Sequence, residues 1–168
     1  MTSRSLDLGC GEKPKNIFGA DTVYGVDARE DLSANVVRCD LAVDRLPFED
    51  DFFDFVTAHD VIEHIPRIIY NPTRRLPFVE LMNEIWRILK VDGQFYSSTP
   101  AFPHEAAFSD PTHVNIITEK TFIAYFDYRH NWARGYGFTG QFEVTNQEWR
   151  GEHLNTILKK LPPARLED

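Results

Sequence analysis

The sequence predicts an α/β fold whose sheet is mostly parallel and ends in an antiparallel hairpin. Three observations predict it. Strand-like runs alternate with turns and helical segments through the first hundred residues, one segment has a clear helical period, and two final strand-like runs are tightly joined.

The first strand is Ser5-Leu6-Asp7-Leu8, running straight into Gly9-Cys10-Gly11. The second is Val23 to Asp27, and the third is Val36 to Cys39, ending at Asp40. Leu46-Pro47-Phe48 followed by Glu49-Asp50-Asp51 is a turn into a fourth strand, Phe53 to Ala58. A helix is expected from about Asp60, interrupted by Pro66. Phe78, Leu81, Met82, Ile85 and Leu89 recur at steps of three and four, which predicts a helix from Phe78 to Lys90 ended by Asp92-Gly93. A fifth strand follows from Gln94 to Thr99. The stretch from Pro100 to Ile117 is long and irregular, and long loops in compact domains are usually functional. Thr118 is a natural N-cap for a helix through Phe126, with Glu119 suited to the helix dipole. Phe142 to Trp149 and His153 to Leu161, joined at Arg150-Gly151-Glu152, form the hairpin, and Pro162 to Asp168 is expected to fray.

At 168 residues the chain is expected to be one domain, residues 1–168, with an ordinary globular composition of 42% hydrophobic and 26% charged residues. No long uncharged apolar run or leader-like opening is present, so neither a membrane association nor secretion is expected. Two cysteines, Cys10 and Cys39, suit a reducing cytoplasm better than a disulfide framework. A formal charge of −8 repels a polyphosphate partner, which counts against nucleic acid, and it welcomes a cationic ligand.

In open α/β sheets the ligand lies beyond the carboxyl ends of the strands. Four such ends carry chemistry here. Gly9 and Gly11 allow a sharp turn and a close backbone approach, with Cys10 between them and Asp7 just before. Asp7 could meet an ammonium or order the loop. Asp27 could grip the two hydroxyls of a ribose. Asp40 could accept from an exocyclic amine, with Leu41 adding a backbone amide and an apolar wall. His59 follows the fourth strand, as a contact to the ligand or as a helix cap. A dinucleotide fingerprint needs a third glycine where Pro14 stands, and the segment after the loop is too short for a phosphate-binding helix. An acidic Asp7 suits an amino group better than a pyrophosphate. The local chemistry favours S-adenosylmethionine.

These residues also carry a resemblance. Leu6-Asp7-Leu8-Gly9-Cys10-Gly11 resembles the first motif of the class I S-adenosylmethionine-dependent methyltransferases, Gly25-Val26-Asp27 the second, and Cys39-Asp40-Leu41 the third. Leu46-Pro47-Phe48, Phe53 to Val56 and His59 to Ile65 resemble the fourth-strand region, and Glu84 to Gln94 the helix entering the fifth strand. The resemblance covers most of the chain up to about Pro100. It implies a Rossmann-like three-layer sandwich. It also places the methionine end at the glycine loop, the ribose at Asp27 and the adenine at Asp40 and Leu41. Asp110-Pro111-Thr112-His113 resembles a small bacterial and phage subgroup. The chain departs from the family in lacking a full helix between the first two strands and any helix before the first. Substrate cover is therefore expected from the Pro100–Ile117 loop or a second subunit, and a homodimer is a reasonable expectation.

Methyl transfer needs alignment and, for many acceptors, a base. The histidine candidates are His59, His64, His104 and His113, and the long loop supplies the acceptor-pocket reading: His113 or His104 as base, with Asp110 orienting it, acting on a small-molecule acceptor such as a sugar or polar metabolite. A non-catalytic partner subunit is the alternative. Structural readings compete: Asp110-Pro111 as a turn, and Glu63-His64 as a tie between helix and loop. His59, Glu63 and His64 do not match a zinc-protease pattern, and no tight spacing among His104, Asp110 and His113 assigns a metal. Arg67, Arg74 and Arg75 form a basic island that is more simply a solvated loop, while Trp86, Trp149 and the set Phe122, Tyr125 and Phe126 are expected to pack.

Overall fold

The computed structural model describes residues 2–29, 35–70 and 72–163. Strands β1 (Arg4–Leu8), β2 (Thr22–Asp27), β3 (Val36–Arg38), β4 (Phe53–His59), β7 (Leu89–Pro100), β8 (Phe142–Arg150) and β9 (His153–Lys160) form a seven-stranded sheet in the order β3-β2-β1-β4-β7-β9-β8. β1 to β4 and β7 run parallel, and β9 runs antiparallel to both β7 and β8. The terminal hairpin therefore folds back, so that the last strand pairs inside and β8 takes the edge. A separate two-stranded sheet joins β5 (Ile69–Tyr70) and β6 (Arg74–Arg75). The fold is the Rossmann-like α/β class expected from the sequence.

Register decides which face is apolar. Tyr24, Leu6, Val56, Phe95 and Leu158 stand side by side across five strands, and this row packs in the core. Helix α1 (Pro77–Ile88) lays Phe78, Leu81, Met82, Ile85 and Ile88 on that face, each side chain contributing about 1.5–3 kcal/mol by burial. Helix α3 (Glu119–Tyr125) adds Phe122, followed by Phe126, and their rings meet Phe78 and Phe95. Thr118 caps α3 through a capping box with Thr121. Tyr125, expected to pack with these two, is instead exposed. Trp86 is tied by its indole N–H to the carbonyls of Gln141 and Leu161.

The neighbouring row, Gly25, Asp7, Thr57, Tyr96 and Ile157, points to the other face. There the layer over β1, β2 and β4 is thin and irregular. Phe18 stacks on Phe55 with ring centroids 4.4 Å apart, and the Lys15 amide donates to Asp7. The helix expected from Asp60 is a single 3-10 turn, Ile62–His64. Asp60 holds a left-handed φ of 54°, incompatible with a helix start, and Pro66 forbids continuation. Within the long loop lies one helical turn, α2 (Ala106–Ser109). Among the described residues no helix is long and apolar enough to cross a membrane. Of the tail expected to fray, residues 164–168 lie outside the described residues.

Candidate cofactor and acceptor site

β1 delivers Gly9 at φ +59°, where a Cβ would stand 2.5 Å from Val61 Cγ2. Only glycine fits both the backbone angle and that contact. The loop is then pinned from two sides. The Cys10 amide donates to the Val26 carbonyl, and the Gly11 amide donates to Asp27 Oδ2 at 2.8 Å. Asp7 is buried, with Oδ1 accepting from Thr57 Oγ1 at 2.6 Å and Oδ2 from the Lys15 amide at 2.8 Å. Both oxygens serve the protein, so Asp7 orders the loop from beneath. Burial pushes the Cys10 thiol up to about 11, helped by the charges of Asp7 and Asp27, so it stays protonated near neutral pH.

Asp27 closes β2. Burial raises its carboxyl, but hydrogen bonds from the Arg29 side chain and amide and from the Gly11 amide outweigh that and hold it below the usual carboxylate range. Asp40 follows β3, with Oδ1 accepting from the Ala42 amide. Its Oδ2 and the Leu41 N–H have no hydrogen-bond partner among the described residues. Gly9, Asp27, Asp40, Leu41, Val61 and His64 line one hollow at the carboxyl edge of the sheet. Two carboxylates and a glycine bend thus converge on a single space.

His59 does not line that hollow. It ends β4 on the thinly covered face, with its ring 5.2 Å from Tyr96 and its Nε2 buried without a partner among the described residues. Burial, then the charge of Lys15, lowers its pKa from 6.5. The fold therefore holds His59 neutral where the unfolded chain would protonate it. Its contribution is present above about pH 6.5 and is lost as pH falls below that value. Denaturant titrations of wild type and His59→Gln between pH 7.5 and 5 should show a shallower loss of stability in the variant.

The loop residues divide. Asp110 accepts from the Thr112 hydroxyl at 2.6 Å and the Thr112 amide at 2.8 Å, and its Oδ2 lies 4.0 Å from His113 Nε2. The His113 ring meets His64 edge to face at 4.8 Å, which places this group next to the hollow. His104 is elsewhere, 4.9 Å from Trp149 in a hollow shared with Phe102 and Glu119. The structure thus brings His113 and Asp110 together and leaves His104 apart. Glu63 and His64 do tie the strand end to the loop: Thr99 Oγ1 donates to Glu63 Oε2 at 2.7 Å, and His64 Nδ1 is 3.0 Å from Thr112 Oγ1. Arg67 bonds Asn115 and the Ile116 carbonyl, while Arg75 pairs with Glu80, so two members of the basic island serve the fold. His64, read from the sequence as a base candidate or a tie to the loop, is a wall of the hollow, and Val61, the other wall, was not singled out in the sequence. The one signal for Val61 is proximity to the end of the fourth strand.

A model of the methyltransferase domain matches residues 6–97, more than half of the chain. The chain belongs to the methyltransferase-domain family. No curated protein sequence matches this methyltransferase-domain chain. Solved structures of the same fold include a Haloferax volcanii protein in complex with the Trm112 methyltransferase activator, with 14% identity, 98% of this chain and 84% of that chain covered, and a TM-score of 0.66. An S-adenosylmethionine-dependent methyltransferase from Aquifex aeolicus has 14% identity, coverage of 95% and 82%, and a TM-score of 0.60. Phosphoethanolamine N-methyltransferase 1 of Haemonchus contortus, solved with phosphoethanolamine and S-adenosylhomocysteine, has 14% identity, coverage of 99% and 40%, and a TM-score of 0.63. The cofactor of this family is S-adenosylmethionine. The residues fit it: Asp27 is held at a strand end, Asp40 Oδ2 and the Leu41 amide are open among the described residues, Gly9 admits close approach, and the acidic surroundings suit a sulfonium. The irregular segment after the glycine loop, by contrast, presents no helix N-terminus to a pyrophosphate.

Proposed function

We propose that this methyltransferase-domain protein moves the methyl group of S-adenosylmethionine to a small polar acceptor, such as a sugar or another polar metabolite. The observation that carries the reading is the convergence of Gly9, Asp27 and Asp40 on one hollow whose far wall, His64, touches His113 of the long loop. Asp27 would hold the ribose, and Asp40 with Leu41 the adenine. The bound cofactor supplies the activated methyl group, and the protein's task is to align the acceptor and manage its proton. That task falls to the His113–Asp110 end of the loop rather than to His104, which stands beside Trp149. The charge of −8 argues for a small acceptor over nucleic acid.

Methyl-labelled cofactor incubated with the protein and fractionated polar metabolites should yield a labelled small molecule, with duplex DNA and RNA left unlabelled. Labelled nucleic acid, or no product in any fraction, would overturn the reading. A second reading, a cofactor-holding partner subunit, draws support from the thin second face of the sheet and from the neighbour solved with an activator. Product formation by the chain alone excludes it. A homodimer closing over the exposed sheet edges fits either reading.

A further inference from the structure

Glu63, His64 and His113 each bring one potential metal-binding atom to within 4.8 Å of the others. Two of these side chains are nearly inaccessible, Glu63 with 1% of its surface exposed and the His113 side chain with 9%. Both carry an orphan: Glu63 Oε1 and His113 Nδ1 are buried and have no hydrogen-bond partner among the described residues. Leaving a buried polar atom unsatisfied is costly, so two in one cluster point to something that satisfies both.

From these residues we propose that Glu63, His64 and His113 bind a divalent first-row transition-metal ion through Glu63 Oε1, His64 Nε2 and His113 Nδ1. The remaining atoms of each side chain are already engaged in ways that orient these donors. Glu63 Oε2 accepts from Thr99 Oγ1, so Oε1 is the oxygen left over. His64 Nδ1 is bonded to Thr112 Oγ1, which turns Nε2 away from that contact. Asp110 lies on the Nε2 side of His113 at 4.0 Å, which favours the proton there and a lone pair on Nδ1. Asn115 locks the two halves of the site together. Its amide donates to the Glu63 carbonyl at 2.9 Å, its Nδ2 to the Ile62 carbonyl at 3.0 Å, and its Oδ1 accepts from Arg67.

Two imidazoles and one carboxylate suit zinc, iron(II), cobalt(II) or manganese(II) better than the all-oxygen shells of calcium and magnesium. Ligand atoms around a tetrahedral ion lie about 3.3–3.6 Å apart for bonds of about 2.0–2.2 Å, so the three side chains close inward by small rotations as it binds. Three protein ligands leave coordination positions open. Because His64 also lines the Asp27–Asp40 hollow, an ion here would give the acceptor end of that hollow a Lewis acid, and the His113–Asp110 end of the loop would then act on the acceptor's proton through the ion that His113 holds. Only this consequence rests on the methyl-transfer reading, since metal binding is measured without turnover.

Chelator-treated wild-type protein should take up one equivalent of Zn²⁺ in calorimetry, and Co²⁺ should give visible absorption bands of a nitrogen- and oxygen-bound ion. Glu63→Gln and His113→Gln, checked for folding by circular dichroism, should each bind at least tenfold more weakly and lose the Co²⁺ bands. If one variant does not fold, the other decides. No saturable binding by wild type, or less than a tenfold loss in a folded variant, overturns the proposal. The second result would place the ion on other histidines.

Discussion

Asp27→Ala is expected to weaken S-adenosylhomocysteine binding by about 30-fold to 1,000-fold in calorimetry. A ribose diol donates two hydrogen bonds to the carboxylate, and bonds to charged groups contribute about 1.5–3 kcal/mol each, so a loss of about 2–4 kcal/mol follows even with partial solvent replacement. The substitution also frees the Gly11 amide that Asp27 Oδ2 holds at 2.8 Å, loosening the bend that approaches the ligand. The fold should tolerate the change. The abandoned partner, Arg29, has 59% of its side chain exposed and returns to water at little cost. A near-wild-type melting temperature with a large affinity loss is the expected pair of results. An affinity within threefold of wild type would mean that Asp27 does not touch the ligand.

Gly25→Val should damage stability and binding together. Gly25 lies in β2 on the thinly covered face, and a Cβ there would meet Cys10 Sγ at 2.5 Å and Pro14 Cγ at 2.6 Å. Both contacts belong to the segment that follows β1, so the added methyl groups push the glycine loop off the sheet. Overpacking of this kind costs about 1–3 kcal/mol, or about 2–10 °C in melting temperature for a domain of this size. Because the loop that moves is the one facing the hollow, cofactor affinity should fall as well. Gly25→Ala should show the same pattern more weakly. Thermal melts and calorimetry check both, and a Gly25→Val protein with wild-type melting and binding would show that the loop does not pack there.

Much of this architecture is legible in the sequence because strand-like runs bounded by turn residues and a helix with a clear three-four period leave little room for other pairings. The strands of the main sheet fall within a residue or two of their expected bounds at most ends, although β7 begins at Leu89 rather than Gln94. What was not legible has identifiable causes. β5 and β6 are two residues each, too short to show alternation. The turn at 62–64 reads as a longer helix until the left-handed Asp60 is known. The thin second layer follows from Phe18, Pro14 and Cys10 lying flat on the sheet, a tertiary arrangement without a periodic signature.

The site divides along the same line. Gly9, Gly11, Asp27, Asp40 and Leu41 could be named because each sits at a strand end, and strand ends converge in any sheet of this class. His59 sits at a strand end too, two residues beyond Thr57 as Asp27 is two beyond Gly25, so both belong to one face of the sheet, but its ring lies against Tyr96 rather than among the residues that line the hollow. The path of the long loop could not be read. His104 and His113 look equivalent in sequence, yet the chain carries one to Trp149 and the other to His64. Glu63, His64 and His113 come together only because Asn115 and Thr112 fasten that loop to the turn after β4.

The most direct measurement is a crystal structure of the protein with S-adenosylhomocysteine. The ribose hydroxyls are expected on Asp27, the adenine amine on Asp40 Oδ2 beside the Leu41 amide, and the thioether turned toward the His113 side of the loop. A ligand seated in the His104–Trp149 hollow, or in the correct hollow with neither acid within hydrogen-bond distance, would contradict that placement.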